Sequence, residues 1–163
     1  MMKKTLLIAA TAAMVAGCGA PQTKQAQSAC EPPPATVVTK DLVEGDGLTA
    51  IPLTSALVFY TGWVYDPCKP DHKGAEFDTN VGKRVPFGFR IGAGKVIKGW
   101  DEGLPGMKEG GKRLMIIPSA YGYGATEIPG KIPANSALVF EVDLVQLSGP
   151  GLPPPVNRKI PPK

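Results

Sequence analysis

Six aromatic side chains stand out among the residues able to do chemistry: Tyr60, Phe77, Phe87, Trp100, Tyr123 and Phe140. Asp78 directly follows Phe77, and Val96-Ile97 precede Trp100 closely. Taken singly, apolar aromatics in strands are most simply core residues. Taken together with one carboxyl, they can wall an apolar pocket in which polar groups work only at the edges. Other chemistries find less support. The chain has a single histidine, His72, and no Gly-x-Ser-x-Gly, so a hydrolase triad lacks its parts. Gly92-Ala-Gly94-Lys95 glances at a phosphate loop. It lacks the first glycine and the Ser/Thr after the lysine, and Ile97 stands where a dinucleotide fingerprint needs its third glycine. Cys68, Asp71 and His72 share one loop, but three scattered donors are a weak metal signal beside an ordinary solvated loop. No metal or cofactor is expected.

The elements that must position these residues follow from the pattern. Glycine (20) and proline (18) are both abundant in the 163 residues, which points to turns and extended segments rather than a helical bundle. Val37, Val38, Leu42 and Val43 form a first strand, stopped at Gly45-Asp-Gly47. Leu57–Tyr65 is β-branched and aromatic on both faces, a central strand. Residues 66–74 read as a surface loop. Val85–Ile91 and Arg113–Ile117 are further strands, and Ala137–Leu147 is the clearest, with Leu138, Phe140, Val142 and Leu144 on one side and Glu141 and Asp143 on the other. Ile97, Trp100 and Leu104 fall on one face of a short helix that Pro105-Gly106 ends. The fold class is α+β: an antiparallel sheet of about five strands wrapped around one short α-helix.

Six blocks occur in order: Val58-Phe-Tyr-Thr-Gly62, Glu76-Phe-Asp78, Val85-Pro-Phe-Gly-Phe89, Gly94-Lys-Val-Ile-Lys-Gly-Trp-Asp-Glu-Gly103, Pro118-Ser-Ala-Tyr-Gly-Tyr-Gly-Ala125 and Ile132-Pro-Ala-Asn-Ser-Ala-Leu-Val-Phe-Glu-Val142. In this order and spacing they resemble the FKBP-type peptidyl-prolyl cis/trans isomerase domain, over roughly residues 36–147. The resemblance implies a pocket formed by Tyr60, Phe77, Asp78, Phe87, Val96, Ile97, Trp100, Tyr123, Ile132 and Phe140, with Trp100 as its floor. It implies proline-containing polypeptides as partners and macrolides as inhibitors. Ile128 stands where some relatives carry a histidine and Lys131 where some carry an isoleucine, in a loop expected over the pocket, which leaves substrate preference and macrolide affinity open. A second reading keeps the groove but not the turnover: a non-catalytic chaperone or proline-segment binding module on the cell envelope.

The ends read differently. Lys3-Lys4 followed by a short apolar run to Ala16 is an export signal, too short to span a bilayer. Val15-Ala16-Gly17-Cys18 resembles a bacterial lipobox, which implies cleavage before Cys18 and lipid on that cysteine, anchoring the protein in the cell envelope. Gly19 after it favours the outer membrane. The expected organisation is a lipoprotein signal peptide (1–17), a flexible Pro-containing tether (18–35), the isomerase domain (36–148) and a Pro-rich tail (149–163). In an exported compartment Cys30 and Cys68 either pair or remain two free thiols. The net charge of +4 falls to +2 once Lys3 and Lys4 leave, and no basic run is present, so nucleic acid is not an expected partner. Some relatives dimerise through a long N-terminal helix; residues 19–35 are too short and proline-rich for one, so a monomer is expected.

Overall fold

The structure, a computed structural model, describes residues 30–153. The expected export signal, Cys18 and the last ten residues lie outside this range. Among the described residues six strands occur: β1 (Val38–Val43), β2 (Ser55–Tyr65), β3 (Lys73–Thr79), β4 (Phe87–Arg90), β5 (Lys112–Ile117) and β6 (Leu138–Ser148). One α-helix, α1 (Lys98–Gly103), crosses the sheet's inner face. All strand pairs are antiparallel, in the order β1-β5-β6-β2-β3 with β4 also on β2.

The sequence pattern finds β1, β2, β5, β6 and the helix. It misses β3, because Lys-Gly-Ala-Glu-Phe-Asp-Thr has one large apolar residue and shows no alternation. This strand exists by its ladder to β2 rather than by burying a face. The strand expected at Val85–Ile91 is shorter, four residues from Phe87. Among the described residues at the domain edges, the chain is already fastened at Cys30, which forms a disulfide with Cys68. Glu31 N–H donates to Pro67 O at 3.1 Å, and Tyr65 Oη donates to Glu31 O at 2.7 Å. At the other end Leu152 packs against the core.

The inner face of β5, β6 and β2 is apolar. Leu138, Val142 and Leu144 of β6, Met115 and Ile117 of β5, and Val58 of β2 are buried with Trp100 of the helix and Leu104 just after it. Each such side chain contributes about 1.5–3 kcal/mol on burial. Gly99 sits so close to Ile117 that any side chain there would overlap it, which lets α1 lie directly on β5. Arg113 locks the helix's exit: buried, it donates to both carboxyl oxygens of Asp41 on β1 and to the carbonyls of Gly103 and Pro105. The Arg113 hydrogen bonds hold the Asp41 carboxyl below the usual carboxylate range, against a smaller upward push from burial.

The outer face carries charges beside the buried Leu114 and Val139. Lys73 Nζ donates to Glu141 at 2.5 Å, while Lys112 Nζ reaches Glu141 at 3.2 Å and Asp143 at 3.4 Å. Burial pushes the Glu141 carboxyl up, but the hydrogen bonds and charges of Lys73 and Lys112 outweigh it, and the net direction is down.

Candidate active site

The site begins with a gap in the edge of β2. β4 pairs with Ser55–Val58 and β3 with Thr61–Tyr65, so no strand lies beside Tyr60 on that side. Asn80, buried just after β3, fills the gap. Its Oδ1 accepts Tyr60 N–H at 2.6 Å, its Nδ2 donates to Val58 O at 3.1 Å, and its own N–H donates to Tyr60 O. The end of β3 carries Phe77 and Asp78, and the start of β4 carries Phe87. Both therefore frame the same opening, and α1 closes it from below.

A cavity of about 210 Å³ lies there, lined by Tyr60, Phe77, Asp78, Phe87, Lys95, Val96, Ile97, Trp100, Tyr123 and Phe140. Nine of the ten residues named from the sequence line it. The tenth, Ile132, is buried in the core and lines a neighbouring groove of about 590 Å³. Ile128 and Lys131 line that second groove as well, together with Val64–Pro67 of β2 and its following loop. Their loop folds back on itself, Ile128 N–H donating to Ile132 O. Lys95, which sequence reasoning passed over, lines the cavity itself. Its place directly before Val96 was the available signal.

Trp100 is 4% exposed and the rings around it stand edge-on: Tyr60 at 5.2 Å, Phe140 at 5.3 Å. Phe77 meets Phe140 in the same way at 5.5 Å. Such contacts contribute about 0.5–1.5 kcal/mol each beyond their burial. The buried Trp100 Nε1–H has no nitrogen or oxygen acceptor among the described residues. Gly62 makes the wall possible. A Cβ there would lie 2.7 Å from the Phe77 ring and 2.8 Å from that of Phe140.

The polar groups sit at the rim. Tyr60 Oη donates to Asp78 Oδ2 at 2.6 Å. Burial first, and Asp78 second, push the Tyr60 hydroxyl well above the ordinary tyrosine range. Tyr123 is raised by burial and then by the charge of Asp78. Both hydroxyls are therefore protonated donors at neutral pH. The loop before the helix is pinned by Asp101, whose carboxyl accepts Gly92 N–H at 2.7 Å and Gly94 N–H at 2.9 Å. Among the described residues no three carboxyl, thiol or imidazole groups gather as a metal site. Cys68 is used in the disulfide, and His72 stacks on Tyr65 at 4.7 Å.

Comparison with known proteins agrees with this geometry. Residues 49–145 match the family described as FKBP-type peptidyl-prolyl cis-trans isomerase. An FK506-binding protein of Neisseria meningitidis serogroup A is 44% identical over 112 residues, 69% of this chain and 96% of that protein. FK506-binding protein 1B of Aspergillus fumigatus is 48% identical over 94 residues, 57% of this chain and 78% of its own. Mouse peptidyl-prolyl cis-trans isomerase FKBP2 is 49% identical over 88 residues, 54% of this chain and 58% of its own. With an antiparallel six-stranded sheet around one short helix, and a family match spanning more than half its length, this chain belongs to the FKBP-type peptidyl-prolyl cis-trans isomerases and is an enzyme of that class.

Proposed function

We propose that this isomerase assists the folding of exported proteins from a lipid anchor at Cys18 in the cell envelope, and that it turns over X-Pro bonds in the aromatic cavity. The barrier to peptide rotation is about 18–20 kcal/mol, because resonance makes the C–N bond partly double. No bond is made or broken on the way over it. Twisting ends the resonance and takes charge off the carbonyl oxygen, so a dry aromatic cavity favours the twisted state over the planar, more polar amide. Trp100 and its edge-on neighbours grip the proline ring. The Tyr123 hydroxyl and the Ile97 N–H hold substrate carbonyls, and Asp78, oriented by Tyr60, meets the rotating carbonyl at the rim.

The observation that carries this reading is the floor. A buried tryptophan, ringed edge-on by Tyr60 and Phe140, suits an apolar ring rather than a charged ligand. The test is cis-to-trans turnover of a proline tetrapeptide. Asp78→Leu and Phe140→Leu should each lower kcat/KM by about 10-fold or more, roughly 1.4 kcal/mol of transition-state binding. Unchanged kcat/KM in both variants refutes the assignment. A macrolide that blocks wild-type turnover would place its site in the same cavity. For the anchor, Cys18→Ser should move the protein from the membrane fraction to the soluble fraction. A binding module without turnover would hold proline peptides yet leave the isomerisation rate at its uncatalysed value.

A further inference from the structure

Two formally charged side chains line the aromatic cavity, Asp78 and Lys95, and they are not in the same state. Asp78 is engaged by the Tyr60 hydroxyl. Lys95 is exposed and has neither ion pair nor hydrogen bond among the described residues. Its neighbours do not neutralise it. Asp101, the nearest acid on the helix, is turned to the backbone N–H groups of Gly92 and Gly94, and Glu102 is paired with Lys98 at 3.5 Å. The connection between Asp78 and Phe87 carries Lys83 and Arg84, both exposed and without an ion pair among the described residues. The Asp101 hydrogen bonds also hold the backbone just before Lys95, so this cation leaves the surface from a fixed base.

From this we infer that the enzyme discriminates among proline segments by charge: it favours those with a carboxylate side chain beside the X-Pro pair, and Lys95 reads that carboxylate. The inference rests on the aromatic cavity being the isomerase site. A proline ring on Trp100 leaves its flanking residues at the rim, where Lys95 stands free and Asp78 is occupied. Opposite charges there attract modestly, because the rim is wet, and salt screens them. Like charges repel by a similar amount, so the contrast between acidic and basic flanks is the sensitive quantity.

The experiment uses the full chain and three peptides sharing one X-Pro pair, with Glu, Ala or Lys at both flanking positions. At low ionic strength wild-type kcat/KM should be about 5-fold higher for the Glu peptide than for the Lys peptide, with Ala between them. The ratio should shrink towards one in 0.5 M salt. Lys95→Gln should reduce the ratio, and Lys95→Glu should invert it; since each ratio is taken within one variant, a general change in activity cancels. Equal wild-type rates for the three peptides overturn the inference, as does a ratio that Lys95→Glu leaves unchanged. Trp100→Leu separates the two levels. If it leaves turnover of all three peptides untouched, the cavity is not the isomerase site and both readings fall; if it lowers all three while the wild-type ratio is one, only the charge preference falls.

Discussion

Phe140 and Glu141 are consecutive in β6 and face opposite ways. Phe140 is buried against Trp100 and Phe77, where the stabilising force is the exclusion of water. Glu141 lies on the outer face between Lys73 and Lys112, where the force is charge in partial contact with water. One strand thus serves two kinds of physics a single residue apart. The inner face should be large in energy and indifferent to salt and pH. The ion pairs of the outer face should be small in energy and sensitive to both.

The largest expected effect is on the inner face. Phe140→Ala should lower unfolding free energy by about 3–5 kcal/mol in a denaturant titration. A loss below about 1 kcal/mol would mean the floor is not packed and would break the contrast. Gly62→Ala should come next, at about 1–3 kcal/mol, because the added methyl must displace the Phe77 and Phe140 rings; kcat/KM should fall with it. Glu141→Gln should cost least, about 1 kcal/mol at neutral pH and low salt. Its sign with pH is fixed by the lowered carboxyl. The contribution is fully present above the unfolded value of about 4.3 and is lost as pH falls through the folded value. Wild-type and Glu141→Gln stabilities should therefore converge in acid, and also in high salt. A Glu141→Gln cost that stayed constant down to about pH 3 would show that the pair acts by packing rather than by charge.

Legibility in the sequence followed the same divide. Elements built by burial announce themselves through period: Leu138, Phe140, Val142 and Leu144 gave β6, and Ile97, Trp100 and Leu104 gave the helix. β3 was silent because its hydrogen-bond ladder leaves no mark on residue type. The ordered motifs brought nine named residues to one cavity, from β2, β3, β4, β6, the helix with the loop before it, and the loop after β5. Ile132, Ile128 and Lys131 line the adjoining groove, a division between neighbouring hollows that the motifs do not express. Asn80 was invisible for another reason. Its work is to imitate a strand where two neighbours of β2 fail to meet, and only the assembled sheet reveals the vacancy.

The Cys30–Cys68 bond also has a mechanical meaning. It closes residues 30–68 into a covalent ring that contains β1 and all of β2. Tension arriving along the N-terminal segment enters at Cys30, crosses the sulfurs and leaves at Cys68, bypassing everything in between. β1 is the sheet's outermost strand beside β5, the one that a pull from that end would otherwise peel away first. With the bond closed, the load falls instead on the loop before β3, and the strand carrying Tyr60 is held out of the line of force.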